Sequence, residues 1–554
     1  MTPDGFMTYL ALLIAIWSVM PEHRRRTALL HLTKLDWAAF IGMGFISFLL
    51  ILKDQANVSP NQGNVNNGCH GTWAFIVLLL ATSYLCAQGG YRKRIPPKKL
   101  KELNRLVDEL LIPESFVVLN RFLDTHERIL RNMQERRTWR DHIALRLKSA
   151  LRLLDDVRDS ETRKHFAAEL PPCPKPVRWL VRSVGRLAPA RTRRVTESLV
   201  ARVESVANEM CDTATDVLAR IGTNKPYMDY LARTNPLMGL RVFAERARQI
   251  DNEPISLLVE SLLCQPHGPL ARELRVVGDY VRWEPLGPEL PLLHFLLSDI
   301  QLAEKVVLWG IVVEFADQHL DEKAMAPDTD TYNQEVREFH RDGKSEAPLW
   351  LGIELLFQMN LNSFYQTSNE WNGLPMGVHY FPFLAEKICR NFRTPKQRIG
   401  YSEWSNRYHY LLKDVVNKLE ALVGLAHPNH GTANEPTTTI FPESIPDDAI
   451  KAVARIVKIV ADAGQNVPYE TKQSICQSTL LFMFGLQLPV STRPTGNLLE
   501  TELLTVSESE LRSRESYWSI LETSARRDDH QNYYYSELID SFVEKIHKKN
   551  KSLS

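Results

Sequence analysis

The tightest grouping of residues that could do chemistry is Glu314, Asp317, His319, Asp321 and Glu322. On a helix, Glu314 and Asp317 share one side with Asp321 one turn further on, a spacing of hard oxygen donors that could hold a divalent cation. The same run also fits a solvated acidic face near a helix end, which is the commoner use of clustered charge. His427 and His430 form a second pair, but they lie in a Pro- and Asn-rich stretch with no third ligand beside them. The seven cysteines, at positions 69, 86, 173, 211, 264, 389 and 476, form no C-x-x-C pair, so neither a zinc site nor a dithiol motif is encoded. No resident cofactor is expected, and the acidic group is the better of the two metal candidates.

Phosphate-handling motifs are approached and missed. In His340-Arg341-Asp342-Gly343-Lys344-Ser345, a phosphate-cradling loop would need glycine where Glu338 stands. A kinase catalytic loop would need Asn where Ala347 stands, and neither D-F-G nor a glycine-rich loop appears in the right order. Asn224-Lys225 opens a guanine-reading motif whose fourth position is Tyr227 instead of Asp. No Ser or Cys stands in a nucleophile motif. An enzyme is therefore not the leading expectation.

The net charge of +1 conceals an uneven distribution: residues 89–205 hold 27 Lys and Arg against 15 Asp and Glu, and residues 206–554 hold 35 against 47. Arg92, Lys93, Arg94, Lys98, Lys99 and Lys101 open this basic belt, which continues through Arg128 to Arg140 and Lys175 to Arg194. Each basic residue close to an anionic bilayer contributes about 1 kcal/mol of attraction, so the first six suffice to hold a helix against lipid headgroups. They are the lipid-binding candidates. Arg178, Arg182 and Arg186 share a helical face that could contact nucleic acid, but lipid or an acidic protein surface is the better match.

Between Ser345 and Glu386 there is no Lys or Arg, while eight aromatic residues, among them Trp350, Phe357, Trp371 and Phe381, crowd together. Such a segment must be largely buried, yet it carries Glu354, Asn360, Asn362, His379 and Glu386, which need partners away from water. The expectation is a central core whose polar groups are satisfied by neighbouring helices and by arginines of the belt. The alternative is a partner groove in which Asn362, Trp371 and His379 orient a ligand between aromatic walls.

The elements that carry these residues begin at a membrane. Three apolar runs, Gly5 to Met20, Leu35 to Leu52 and Gly71 to Ala87, approach the roughly 20 residues needed to cross a hydrocarbon core. The connection Pro21–Lys34 carries Arg24, Arg25, Arg26 and Lys34, whereas Asp54–His70 has no Lys or Arg. The positive-inside rule puts the first connection and the belt in the cytoplasm, with the N-terminus outside. The expected location is a plasma membrane, or the inner membrane of a bacterium. Ala38 and Gly42 lie four apart, as small residues do where helices meet in lipid, so self-association is an expected alternative to a foreign protein partner.

Beyond residue 90 the period is helical. Thr196–Ile221, Ser402–Gly424 and Asp447–Ala463 repeat apolar residues every three or four positions, with Thr196 and Ser402 available as N-caps. Strand candidates are limited to Val276–Trp283 and Thr437–Phe441, neither of which alternates cleanly. The fold class is all-α: three N-terminal transmembrane helices followed by a large, mostly helical cytoplasmic domain. Prolines in 171–195 and the Pro-, Asn- and Thr-rich stretch 427–446 suggest seams. They divide the chain into an anchor (1–90), a basic juxtamembrane region (91–170), a linker, a helical domain (196–426), a loop and a C-terminal helical region (447–554).

By class, the leading expectation is a non-catalytic membrane scaffold or sensor. Its rivals are a membrane effector whose spans oligomerise into a pore, and a metal-dependent enzyme using Glu314 to Glu322. No acidic, basic or His residue stands mid-span, which argues against an ion path built from these helices.

Overall fold

The computed structural model describes residues 3–20, 25–26, 29–30, 32, 34–56, 72–82, 95–135, 148, 189–247, 252–279, 286–298, 300–326, 330–333, 347–365, 376–393, 406–425, 444–487, 495–505, 514–526 and 535–553. Among the described residues there is no strand, and the fold is all-α. The chain forms two compact units, Met1–Tyr227 and Met228–Ser554.

The first unit opens with three apolar helices, α1 (Pro3–Val19), α2 (Lys34–Ala56) and α3 (Thr72–Thr82). They share a small core of Phe6, Ile51, Ala74 and Leu78, with Tyr9, Leu10 and Leu50 packed against it. Phe6 and Phe48 lie 5.9 Å apart between ring centroids, and Tyr9 meets Thr82 through a 2.9 Å hydroxyl contact. The start of α1 therefore meets the end of α2 and the body of α3. In α2 the window Asp36–Lys53 is long and apolar enough to cross a membrane; the apolar stretches Asp4–Ala15 and Thr72–Thr82 are shorter.

Three amphipathic helices follow: α4 (Leu100–Leu110), α5 (Phe116–Gln134) and α6 (Pro189–Gly222). In α4, Leu100, Leu103, Leu106, Val107 and Leu110 are all buried, as their three-or-four spacing requires of one helical stripe. The sequence places the start of α6 at Thr196, but the helix begins seven residues earlier, at Pro189. A proline at the first helical position has no amide hydrogen to waste and a φ already fit for a helix. Asn224 caps the next helix, α7 (Lys225–Thr234), its Oδ1 accepting the Tyr227 amide at 2.9 Å. That is the structural use of the Asn-Lys pair.

The second unit continues with α8 (Pro236–Ala247), α9 (Glu253–Leu263), α10 (Pro269–Asp279), α11 (Pro291–Leu297), α12 (Ile300–Lys305), α13 (Leu308–Met325) and α14 (Pro348–Tyr365). Then come α15 (Met376–Asn391), α16 (Arg407–Leu425), α17 (Ser444–Asp462), α18 (Tyr469–Gln487), α19 (Thr495–Leu504), α20 (Arg514–Ala525) and α21 (Ser536–Leu553). Every residue from Leu349 to Ser363 is buried, because α14 is walled in by α9, α10, α11, α13, α15 and α16. A helix apolar on all sides has nowhere else to go. Around it, α17 packs on both α15 and α16, while α18, α19, α20 and α21 close the C-terminal side.

One sequence expectation is overturned here. Val276 to Asp279, the described part of the first strand candidate, belongs to α10. Leu270, Leu274 and Val277 of that helix are buried, and their spacing of four and three outweighs the strand preference of two adjacent valines. The second candidate, Thr437–Phe441, lies outside the described residues.

Val307, between α12 and α13, has φ 53° and is the one non-glycine residue with positive φ among the described residues. A β-branched side chain is costly there, on the order of 1–2 kcal/mol. Val307→Gly removes that strain, and after the larger unfolded-state entropy of glycine a gain of about 0.5 kcal/mol is expected in denaturant unfolding.

Candidate functional site

The outward face of the first three helices is apolar. Ile14, Ile41, Phe45, Trp73 and Leu80 are each more than half exposed, and only 17% of the α2 window is buried. A soluble protein rarely leaves a contiguous apolar surface of this kind in water. At the far end of the α1–α2 hairpin, Arg26 forms an ion pair with Glu109 of α4. Arg105 donates to the same carboxylate from Nε at 3.2 Å. Two guanidiniums on one carboxylate leave this corner net positive. On the adjacent side of α4, Arg220 ties α6 to it through Asn104, at 2.8 Å, and through Asp108.

Of the six lipid-binding candidates, Lys98 and Lys101 are exposed and Lys99 is paired with Glu102 at 2.7 Å. Arg92, Lys93 and Arg94 lie outside the described residues. Lys98, Lys101 and Arg105 follow a spacing of three and four, so the basic side chains run along one stripe of α4 and the turn before it, with Arg105 paired to Glu109.

The acidic group does not converge on an empty position. Asp317 and Asp321 both face Lys387 of α15, with Asp321 Oδ1 at 2.9 Å from Nζ. Glu314 is exposed and accepts the Gln318 amide at 3.3 Å. His319 turns away: its ring stacks on Phe315 at 5.9 Å and meets the edge of Tyr332 at 5.7 Å. Burial lowers its pKa, so the imidazole is neutral. An ammonium thus takes the place a metal ion would need, and among the described residues no three His, Cys, Asp or Glu side chains are grouped to hold one.

Of the three groove residues, Asn362 and His379 are described. Asn362 is buried in α14, its Nδ2 donating to the Gln358 carbonyl at 2.8 Å. His379 sits on α15 with its ring about half exposed, 4.0 Å from Asp448. Trp371 lies outside the described residues, as do His427, His430 and the His340–Ser345 string. No known protein family, curated protein or solved structure matches the chain.

What occupies the core instead is a charge cluster. Glu354 of α14 is 1% exposed and meets Lys418 of α16 at 2.9 Å. Lys418 also meets Asp414 at 2.7 Å, and the Trp350 indole donates to Asp414 Oδ2 at 3.1 Å. The ammonium lies 5.5 Å from the Phe357 ring centroid. The two carboxylates hold the Lys418 pKa above its ordinary value despite burial. The positive charge that Glu354 needs comes from Lys418.

A second knot ties helix ends together. Asp330 accepts the Tyr332 amide at 2.9 Å, Asn333 Nδ2 at 2.8 Å and the Tyr408 hydroxyl at 3.0 Å. Asn333 Oδ1 in turn accepts the Arg393 amide at 2.8 Å. Tyr332 and Tyr408 stack at 5.3 Å, and burial raises both phenol pKa values. The Cys389 and Cys476 thiols are pushed up to about 12 by burial, which leaves them protonated and unreactive. Sequence reading missed Lys418, Asp414 and Asp330. The available signal was Asp414 and Lys418 four apart between Leu411, Val415 and Leu419, a charged pair set into an apolar helical face.

Proposed function

We propose that the chain is a membrane-anchored cytoplasmic scaffold or sensor: three N-terminal spans hold it in a plasma or inner membrane, and the helical second unit acts through protein contacts. The observation that carries this reading is the Arg26–Glu109 ion pair, which joins the first basic connection to the helix that follows the third apolar run. Two crossings separate those segments if all three runs span, so both fall on the same side. That is the side the positive-inside rule assigns to the cytoplasm. The exposed apolar faces of α1, α2 and α3 supply the lipid contact. Support for contact over chemistry is the internal pairing of charges, Glu354 and Asp414 with Lys418 in the core and the partly exposed Asp317 with Lys387.

A reporter fused after Gly63 should read as external and one fused after Gly222 as cytoplasmic, in membranes that retain the protein through alkaline extraction. The reverse pattern would sink the placement of the second unit. Gentle solubilisation followed by native mass measurement should then return a heteromer. A large homo-oligomer that conducts ions in liposomes would instead support the pore-forming effector.

A further inference from the structure

The turn joining α4 to α5 carries an exposed apolar tip that the fold does not use. Ile112 and Val117 are each 52% exposed, and Pro113 between them is exposed as well. The turn is well fixed: the Leu111 amide donates to the Val107 carbonyl at 3.0 Å and the Ser115 amide to the Ile112 carbonyl at 2.8 Å, with Pro113 opening a single 3-10 turn. Its position is fixed too. Glu109, three residues before Ile112, is the residue paired with Arg26 at the end of the α1–α2 hairpin. The tip therefore leaves α4 at the level where the spans emerge.

We propose that this turn is a second membrane contact: Ile112, Pro113 and Val117 enter the headgroup layer of the same leaflet, with Arg105 and Arg26 on lipid phosphate. The inference rests on the reading of α1 to α3 as spans. Two observations make lipid the occupant. Glu109, three residues before Ile112, is tied to Arg26 at the end of the α1–α2 hairpin. Arg105, whose side chain is 82% exposed, and Arg121, exposed on the first turns of α5, flank the apolar residues with positive charge, the arrangement of an interfacial anchor. Glu114, also exposed, is the one acidic group at the tip; at interfacial depth its carboxylate stays in water beside the headgroups.

The test uses the full-length chain in nanodiscs of phosphatidylcholine with phosphatidylglycerol. A benzophenone amino acid is placed singly at position 45, 112, 117 or 128, and lipid adducts are read by mass. Phe45 is on the exposed face of α2, and Arg128 is exposed about three turns along α5 from the tip. Lipid adducts at 112 and 117 should exceed those at 128 at least five-fold, and Arg105→Gln should lower the yield at 112 by half or more without changing that at 45. Adducts at 45 with none at 112 or 117 would overturn the tip contact while leaving the anchor intact. No adduct at 45 would instead remove the transmembrane reading and the tip contact with it. Cross-links from 112 to a second protein chain, or equal yields at 112 and 128, would also reject the proposal.

Discussion

Lys418→Met is expected to destabilise the second unit by about 3–5 kcal/mol, the usual result of removing one partner from a buried ion pair. Glu354 is 1% exposed and Asp414 is 13% exposed, so neither carboxylate can recover its lost hydration by turning to water. The Trp350 indole and the Gln358 amide, at 3.1 and 2.9 Å, remain as hydrogen-bond donors but carry no charge. Both carboxylates must then protonate or drag water into the centre of the fold. In a unit of this size the change corresponds to a fall in Tm on the order of 10 °C. Adding Glu354→Gln and Asp414→Asn to Lys418→Met removes the uncompensated charge and should restore most of the loss. A triple variant as unstable as the single one would show that Lys418 stabilises through its stem and the Phe357 ring instead. Because the Lys418 pKa is raised in the folded state, its contribution is complete below the unfolded pKa of lysine and is lost only as pH rises through the folded value. The wild-type contribution is therefore the same at pH 6 and pH 8, whereas the variant, whose carboxylates must take up protons, should show the larger defect at pH 8.

The all-α class and several helices were legible because they depend on local spacing. Asp447–Ala463 repeats its apolar residues so regularly that its helix, Ser444–Asp462, differs only at the ends. Boundaries were less legible. Asn406 caps α16 through the His409 amide at 2.9 Å, where the sequence offered Ser402 as an equally good cap, and nothing local separates two such residues. Pairing across the chain was not legible at all. Asp317 and Lys387 are separated by seventy positions, and Asp330 and Tyr408 by nearly eighty. An acidic cluster on a helix looks like a metal site until the helix that brings its lysine is in place. The aromatic segment illustrates both sides: its lack of basic residues announced burial, and α14 is buried from Leu349 to Ser363, but the group that neutralises Glu354 lies on a helix that only the tertiary fold brings near.

Glu420→Gln should stabilise the protein above pH 7 and leave it nearly unchanged at pH 4.5. Glu420 lies on α16 with its Oε1 sealed from solvent and without a hydrogen-bond partner. Burial pushes its pKa up to about 7; the Thr479 hydroxyl of α18 and the charge of Lys413, two turns back on the same helix, offset this only in part. A carboxyl whose folded pKa is raised binds more protons in the folded state than in the unfolded one between pH 4.5 and pH 7. Stability therefore falls as pH rises through that window and levels off above it. The pKa displacement corresponds to about 3 kcal/mol at most. Glutamine keeps the shape, stays neutral at every pH and can still donate to or accept from Thr479, so the variant should show a flat profile where the wild type declines. Urea unfolding at half-unit steps from pH 4.5 to 8.5 reads the difference directly. Parallel curves for the two proteins would mean that Glu420 reaches solvent in the folded state. A wild-type curve that rises with pH would mean that Lys413, or another cation drawn in by ionisation, outweighs the cost of burial.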